Sequence, residues 1–257
     1  MAFSLKVLGC SSATPTATRN PSAFLLKSDN RKESFLIDCG EGTQILMRKM
    51  GIRMQAVSRI FISHLHGDHF LGLIGYIFSQ NLLGRKDELH IYAHKPLKKL
   101  LHTHLKMEQV TLAYPLTFHA IKKREKEKVL YQDDDVEIRC FPLIHSVPTH
   151  GFHFKFKKGS FAYCSDTLYT ESILPYIKDV DLLYHEATFM EKLALAAKEK
   201  YHATAKEAAR IAVKAGAKQL LIGHYSARYH DISYLLNEAK EVFPNTIAAE
   251  EGLTIRV

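Results

Sequence analysis

The order of apolar and polar residues predicts short strands and helices in alternation along the chain. An opening meander of three strands is indicated at 6–9, 22–26 and 34–38, where apolar runs lie between polar turns. Later segments with alternating or short apolar runs are typical of strands as well. These segments are 57–63, 90–93, 135–144, 152–156, 160–164, 181–184, 219–222 and 253–257.

Helices are predicted between many of these strands. The sequence Thr204-x-x-Glu207 is a capping box followed by apolar residues at helical spacing, so a helix should begin there. Asp68 is placed to cap the apolar helix that follows His69. The other helical segments are 43–50, 70–77, 97–107, a stretch that reaches about 200, and 232–242.

The most specific pattern is the strand 57–63 followed at once by four potential metal ligands, His64, His66, Asp68 and His69. An extended backbone places His64 and His66 on one side. Gly67, which follows His66, lets the chain turn and bring Asp68 and His69 toward a second point. Crowded imidazoles would repel one another when protonated and would lack partners when buried, unless a cation joins them. Zinc, which accepts nitrogen and oxygen ligands, suits this set.

The segment 64–69 matches the H-x-H-x-D-H signature, so the chain resembles the metallo-β-lactamase superfamily. That resemblance implies an α/β fold, an αββα sandwich of two mixed sheets with helices on both outer faces. A more specific similarity, to the ribonuclease Z family of tRNA 3′-processing endonucleases, extends over nearly the whole chain. It is carried by Leu8-Gly9, Pro15-x-x-x-Arg19-Asn20, Ile37-Asp-Cys-Gly-Glu-Gly-Thr43, the segment 60–69, Ser165-Asp-Thr167, His185-Glu-Ala-Thr188, His202-Ala-Thr204 and Gly223-His-Tyr-Ser-Ala-Arg-Tyr229.

The resemblance implies two groups of metal ligands that together hold two Zn²⁺, with other divalent ions such as Mn²⁺ as an alternative. Several of the ligands follow directly after a predicted strand, as His64 does. The first group is His64, His66 and His145, the second is Asp68, His69 and His224, and Asp166 bridges the two.

The resemblance also implies residues that act on the substrate. Asp68 would orient the attacking water, and Glu186 and His202 correspond to the pair that assists departure of the leaving oxygen. His202 also lies just before a predicted helix amino terminus, where backbone N–H groups favour a phosphate.

Three further residues have two interpretations each. Arg19 either contacts a phosphate or belongs to an ordinary surface loop, and Arg228 either contacts a phosphate or forms a salt bridge to the body of the protein. Asp38 either hydrogen-bonds a ligand histidine or caps the helix predicted at 43–50.

Length and composition fit a single domain spanning residues 1–257 with a sizeable core, because 46% of the residues are hydrophobic. No apolar stretch is long enough to span a membrane, so no membrane partner is expected. The net charge of +8 favours a polyanion, precursor tRNA or another RNA. The four scattered cysteines suit a reducing, cytoplasmic compartment. For the oligomeric state, a homodimer is expected.

One feature departs from the family pattern. Family members insert a long arm, which grips the tRNA elbow, between the third histidine of the first group and the bridging aspartate. Here only a simple hairpin is predicted between His145 and Asp166. The leading hypothesis is removal of 3′ trailers from precursor tRNA. The alternatives are a zinc phosphodiesterase for other RNA or for small or cyclic nucleotides, a lactone, thioester or β-lactam hydrolase, and a non-catalytic RNA-binding module.

Overall fold

Two mixed seven-stranded sheets form the centre of the molecule. The computed structural model describes residues 3–29 and 31–257. Its strands, numbered β1 to β16 in chain order, are Phe3–Gly9, Ser11–Ser12, Ala23–Ser28, Ser34–Ile37, Val57–Phe61, Leu89–His94, Leu116–Ile121, Lys128–Gln132, Val136–Leu143, Thr149–Phe156, Ser160–Cys164, Leu182–Glu186, Gln219–Gly223, Tyr225–Ser226, Thr246–Ala248 and Thr254–Arg256.

The two sheets repeat one arrangement. The first has the order β16-β1-β3-β4-β5-β6-β7, antiparallel from β16 to β4 and parallel from β4 to β7. The second has the order β15-β13-β12-β11-β10-β9-β8, antiparallel from β8 to β11 and parallel from β11 to β15. The short strands β2 and β14 pair with each other and join the two halves of the chain.

Seven α-helices accompany the sheets in the described residues. They are numbered α1 to α7 in chain order and comprise Thr43–Lys49, Gly67–Phe70, Gly72–Leu82, Lys95–Met107, Ala194–Glu199, Ala205–Ala215 and Ser233–Lys240. Short 3₁₀ helices lie at Met54–Ala56, Glu171–Tyr176 and Glu191–Leu193.

Apolar residues cover both faces of the central strands, which explains their nearly continuous apolar runs. In β3, Phe24 and Leu26 point into the space between the sheets, whereas Leu25 points toward the outer helices. The ring of Phe24 lies 5.4 Å from that of Tyr163 in the opposite sheet. Helices α1, α3 and α4 cover the first sheet, and α6 and α7 cover the second. The αββα sandwich is therefore confirmed.

Every strand and helix predicted from the sequence is present, with small differences in extent. The capping box at Thr204 and Glu207 is confirmed, with reciprocal bonds of 3.1 and 2.8 Å. The prediction that Asp68 caps the following helix is wrong, since α2 and α3 begin without a side-chain cap. Its carboxylate instead faces His69 and His224, which compete for the same oxygens. No helix within the described ranges combines the length and apolar character needed to cross a membrane.

Candidate metal centre

The parallel strands of both sheets end at one edge of the sandwich and bring polar side chains together there. Asp38 follows β4, and His64 follows β5 in the first sheet. In the second sheet Asp166 follows β11, Glu186 ends β12, and His224 follows β13. Because the carboxyl ends of neighbouring parallel strands lie side by side, residues distant in the sequence meet at this edge.

The first predicted ligand group is assembled around His66. Its Nδ1 atom lies 3.2 Å from Nε2 of His64 and 3.1 Å from Nε2 of His145. Oδ2 of Asp166 lies 3.5 Å from the same nitrogen of His64. The four ligand atoms are all within 4.8 Å of one another, so they converge on a single point.

The second predicted group has the same compactness. Nε2 of His224 lies 3.2 Å from Nε2 of His69 and 3.2 Å from Oδ2 of Asp68. The other oxygen of Asp166, Oδ1, lies 3.4 Å from Nε2 of His69 and 3.3 Å from Nε2 of His224. Asp166 therefore directs one carboxylate oxygen toward each group.

The residues present fit divalent cations. Oδ1 of Asp166 is buried and has no hydrogen-bond partner, although it carries negative charge. The ion pairs of the buried carboxylates Asp38, Asp68, Asp166 and Glu186 are all with histidines. Burying this much negative charge without a cation costs on the order of several kcal/mol per ion. The His/Asp clusters are thus capable of binding metal.

The pKa values of the imidazoles and carboxylates in this cluster depend on one another. Burial and the neighbouring imidazoles hold the pKa of His64 well below its ordinary value, which favours the neutral form of this ring. Burial also disfavours protonation of His69, but the charges of Asp166, Asp68 and Asp38 outweigh it and raise the pKa of His69. Burial raises the pKa of Asp166, yet the surrounding imidazoles prevail and hold it well below the usual range. The raised pKa of His69 and the lowered pKa of Asp166 thus share one cause, the ion pair between the two side chains.

Asp38 orients His69, one of the predicted ligands. Its Oδ2 accepts a hydrogen bond from Nδ1 of His69 at 2.8 Å and from the hydroxyls of Ser63 and Tyr163 at 2.9 and 2.8 Å. Helix α1 begins after Gly42 without a side-chain cap, so of the two interpretations of Asp38 the hydrogen bond is the one observed. Sequence reasoning missed Ser63 and Tyr163, because nothing local distinguishes them from ordinary strand residues.

Glu186 connects the second group to His202. Its Oε1 lies 2.8 Å from Nδ1 of His202, and its Oε2 accepts from the hydroxyl of Thr188 at 2.8 Å. The same Thr188 oxygen lies 3.0 Å from Nδ1 of His224, whose other nitrogen faces the ligand group. Burial lowers the pKa of His202, but the charge of Glu186 and the hydrogen bond to it raise that pKa to about 9. Thr188 is a further residue that the sequence did not single out.

Unusual backbone conformations concentrate at this edge. Five described residues other than glycine have a positive φ, and three of them, Asp38, Tyr201 and His224, lie at this edge with φ values of 54°, 57° and 61°. Such left-handed conformations are uncommon for residues with side chains and persist where the surrounding structure imposes them. The carbonyl of Tyr201 accepts a 2.8 Å hydrogen bond from Nδ1 of His145, which fixes the ring with Nε2 toward the ligand group.

A cavity of about 300 Å³ lies over the ligands. Ser12 and Pro15 of the loop between β1 and β3 line one side, together with Glu41, so this loop borders the site. Five of the predicted site residues line the rest: His66, Asp68, Asp166, His202 and His224.

The two arginines lie beside this cavity rather than in its lining. Nη2 of Arg19 donates to the carbonyl of Tyr229 at 2.5 Å. Nε of Arg228 donates to the hydroxyl of Ser226 at 3.0 Å, and its guanidinium lies 4.8 Å from the ring centroid of Phe189. Neither arginine forms an ion pair with a carboxylate in the part of the chain that the structure describes, so the salt-bridge alternative for Arg228 is not observed.

The sandwich and its paired His/Asp groups define a metal-dependent hydrolase of the metallo-β-lactamase fold. Ribonuclease Z of Bacteroides fragilis is 41% identical to this chain, and the match covers 98% of each sequence. Ribonuclease Z of Porphyromonas gingivalis strain W83 is 39% identical over 99% of each sequence. The chain therefore belongs to the ribonuclease Z family.

A family model described as anti-Pycsar protein Apyc1 matches residues 3–242, and the chain falls within that family as well. Among solved structures, human tRNase Z, short form (ELAC1), superimposes with a TM-score of 0.86 at 28% identity and covers 98% of each chain. The metallo-β-lactamase fold protein YhfI of Bacillus subtilis has a TM-score of 0.84, covers 100% of this chain and 99% of its own, and at 23% identity shows the fold alone.

The relatives carry segments that this chain lacks. The alignment with the Bacteroides fragilis protein spans 302 positions, whereas the present chain has 257 residues. Between His145 and Asp166 the chain forms only the hairpin of β10 and β11, paired from Phe152 with Tyr163 to Lys155 with Ser160. The predicted absence of a long insertion at this place is confirmed.

Proposed function

We propose that this protein is an endoribonuclease that removes 3′ trailers from precursor tRNA with the help of two zinc ions. Family membership supports the reaction class, and one observation carries the two-metal assignment. The two oxygens of Asp166 face different ligand groups, and one of them is buried without any hydrogen-bond partner.

Seven residues would hold the metals. His64, His66 and His145 would bind one ion, and Asp68, His69 and His224 the other, with Asp166 shared between them. When bound, two such ions lower the pKa of a water molecule and neutralise charge that develops on the phosphate. Zinc suits imidazole and carboxylate ligands, and Mn²⁺ is an alternative.

The protein's own groups would position the reactants. Asp68 lines the cavity, where its carboxylate can accept a hydrogen bond from the attacking water. Glu186 occupies Nδ1 of His202, so the proton on Nε2 is free to be donated to the departing 3′ oxygen. The charge of Glu186 and the hydrogen bond to it raise the pKa of this imidazole, which favours the protonated form that an acid requires.

Recognition of RNA would rest on positive charge. Lys98, Lys99 and Lys106 are exposed on α4, and the net charge of the chain is +8. Arg228, which has no carboxylate partner among the described residues, could contact a phosphate of the substrate.

We also propose a single domain over residues 1–257, a homodimer and a cytoplasmic location, the last supported by four buried free cysteines.

A phosphodiesterase for small or cyclic nucleotides is the second candidate function, favoured by the missing arm. Both functions are tested by assaying the purified protein on precursor tRNA, a cyclic nucleotide, bis-p-nitrophenyl phosphate and a β-lactam. We expect cleavage of precursor tRNA and of the nitrophenyl ester. Turnover of the cyclic nucleotide without cleavage of precursor tRNA would favour the second candidate, and turnover of the β-lactam alone would contradict both.

A further inference from the structure

A second cavity, of about 320 Å³, shares His202 with the cavity over the ligands. The imidazole of His202 therefore forms a wall between two spaces, only one of which contains the predicted metal ligands. The other walls of the second cavity come from the loop after β11, from the segment around α5 and from the first turn of α6. They are Leu168, Tyr169, Ala194, Leu195, Lys198 and Glu207.

Exposed apolar side chains surround this second cavity. Leu195 is 80% exposed, and Tyr201, directly before His202, is 42% exposed. Ile144, directly before His145, is 43% exposed and accepts a 2.8 Å backbone hydrogen bond from Leu168 in the cavity wall. Apolar groups gathered beside a polar functional group are typical of a site for a ligand with an apolar face.

Two features of the walls indicate what kind of ligand fits. The hydroxyl of Tyr169 donates to Oε1 of Glu171 at 3.0 Å, so its ring is held in place before any ligand arrives. Lys198 is exposed and forms no ion pair with any residue of 3–29 or 31–257, whereas Lys214 is paired with the same Glu171. A fixed aromatic ring next to an unpaired cation matches the base and the phosphate of one nucleotide.

We propose that this second cavity binds the nucleobase on the 5′ side of the cleaved bond, the nucleotide whose 3′ oxygen departs. This assignment rests on the proposed function, in which His202 donates a proton to that oxygen. The departing oxygen and its base belong to one ribose, so a nucleotide that brings its 3′ oxygen to His202 brings its base beside the same imidazole. The base then stacks on Tyr169 against Leu195, and Lys198 contacts the phosphate on its 5′ side.

The test compares substrates with and without that base. One pair is precursor tRNA with either an ordinary or an abasic nucleotide 5′ of the cleaved bond, and a second pair is the matching dinucleotides. For the wild type we expect kcat/KM to fall about tenfold on losing the base, as befits one stacked base. The quantity compared is the kcat/KM on the ordinary substrate divided by the kcat/KM on its abasic partner. In the combined variant Tyr169→Leu and Leu195→Ala this ratio should approach one, because only the base-bearing substrate loses a contact.

Control variants separate this effect from general damage. Leu82→Ala removes another exposed leucine, 86% exposed at the end of α3, and should keep the wild-type ratio. Tyr169→Phe retains the stacking ring and loses only the hydroxyl bond to Glu171, so its kcat/KM ratio should stay much closer to the wild-type ratio than that of the combined variant. Lys198→Gln should raise KM to a similar extent on both members of the precursor-tRNA pair, since it contacts the phosphate on the 5′ side of the base.

An unchanged ratio in both Leu195→Ala and the combined variant would overturn the assignment. A further substrate carries the abasic nucleotide on the 3′ side of the cleaved bond. The assignment would also be overturned if the combined variant changed the kcat/KM ratio only for this substrate. A wild type that cleaves the dinucleotides but not precursor tRNA would contradict the proposed function, while the dinucleotide ratio would still decide the role of the cavity. A wild type that cleaves neither pair would contradict both.

Discussion

The Nε2 atoms of His69 and His224 lie 3.2 Å apart, although 155 residues separate them in the chain. Both rings use their other nitrogen elsewhere, His69 with Asp38 and His224 with Thr188, so the two Nε2 atoms face each other. Two nitrogens held this close need a proton or a cation between them.

We therefore expect about two zinc-like ions per wild-type chain. Asp166→Ala should lower occupancy at both ligand groups, because its two oxygens face different groups. Metal content measured after dialysis checks this, with Glu41→Ala, in the cavity wall but outside both groups, as the control. A single tightly held ion in the wild type would contradict the two-metal assignment.

Asp38→Asn should weaken metal binding about 10- to 100-fold while leaving the ligands in place, because His69 loses its charged orienting partner. Asn tolerates the left-handed backbone at this position, so the loop should be retained. Titration with zinc in competition with a chelator measures the change. Tyr163→Phe, which removes a neutral partner of the same carboxylate, is the matched control and should have a smaller effect.

His202→Ala should retain metal and lose turnover, because the residue acts on the leaving group rather than on the metals. The loss should be smaller for bis-p-nitrophenyl phosphate than for RNA, since nitrophenolate leaves without a proton whereas an alkoxide needs one. Steady-state rates on the two substrates, with metal content measured in parallel, check this. Equal losses on both substrates would remove the acid role from His202.

Binding of precursor tRNA should be weak and steeply dependent on salt, because no arm provides a remote grip. The missing contact should raise KM more than it lowers kcat, as expected for binding energy shared by ground and transition states. Each neutralised phosphate should contribute roughly −0.7 to −0.9 to the slope of log affinity against log salt. A Lys98/Lys99/Lys106→Ala variant should reduce that slope more than a Lys32/Lys86/Lys240→Ala control. A flat salt dependence would count against RNA as the substrate.

Acid should destabilise the fold through a buried histidine pair away from the ligand groups. Nε2 of His94 lies 3.3 Å from Nδ1 of His150, whose Nε2 donates to the carbonyl of Glu125 at 3.0 Å. Burial, aided by His150, lowers the pKa of His94 to about 4. Between the unfolded pKa of about 6.5 and this value only the unfolded chain binds the proton, so stability is full above that window and is lost as pH falls through it.

The corresponding measurement is urea unfolding of wild type and His94→Gln at pH 7 and pH 5. The wild type should lose about 2 kcal/mol more than the variant between these pH values, by proton linkage at this one group. Glutamine keeps a hydrogen bond available to His150 and does not titrate. Identical losses in both proteins would show that other groups cause the acid sensitivity.

The sequence indicates the central strands well and the edge strands poorly. Val57–Phe61 buries Ile60 and Phe61 in the two different cores and is followed by four predicted ligands, so its position and its role can both be predicted. The edge strands Leu116–Ile121, Lys128–Gln132 and Thr246–Ala248 were not predicted, because they are short or partly exposed and carry little alternation.

Within the site, local spacing reveals His64, His66, Asp68 and His69 but cannot reveal their distant partners. His145 meets His66 across 79 residues, and only the family resemblance indicated it. The prediction that Asp68 caps a helix failed because a local pattern does not show which distant imidazoles compete for a carboxylate.

The orientation of His145 and the position of His202 both depend on the peptide unit that follows Tyr201, a residue with a left-handed backbone. Its carbonyl fixes the ring of His145, and the next residue in the chain is His202. A shift of His145 on loss of a cation would therefore pull on the main chain that carries His202. The positions of His145 and His202 are coupled in this way through a single peptide unit, so a displacement of one imidazole is expected to be accompanied by a displacement of the other.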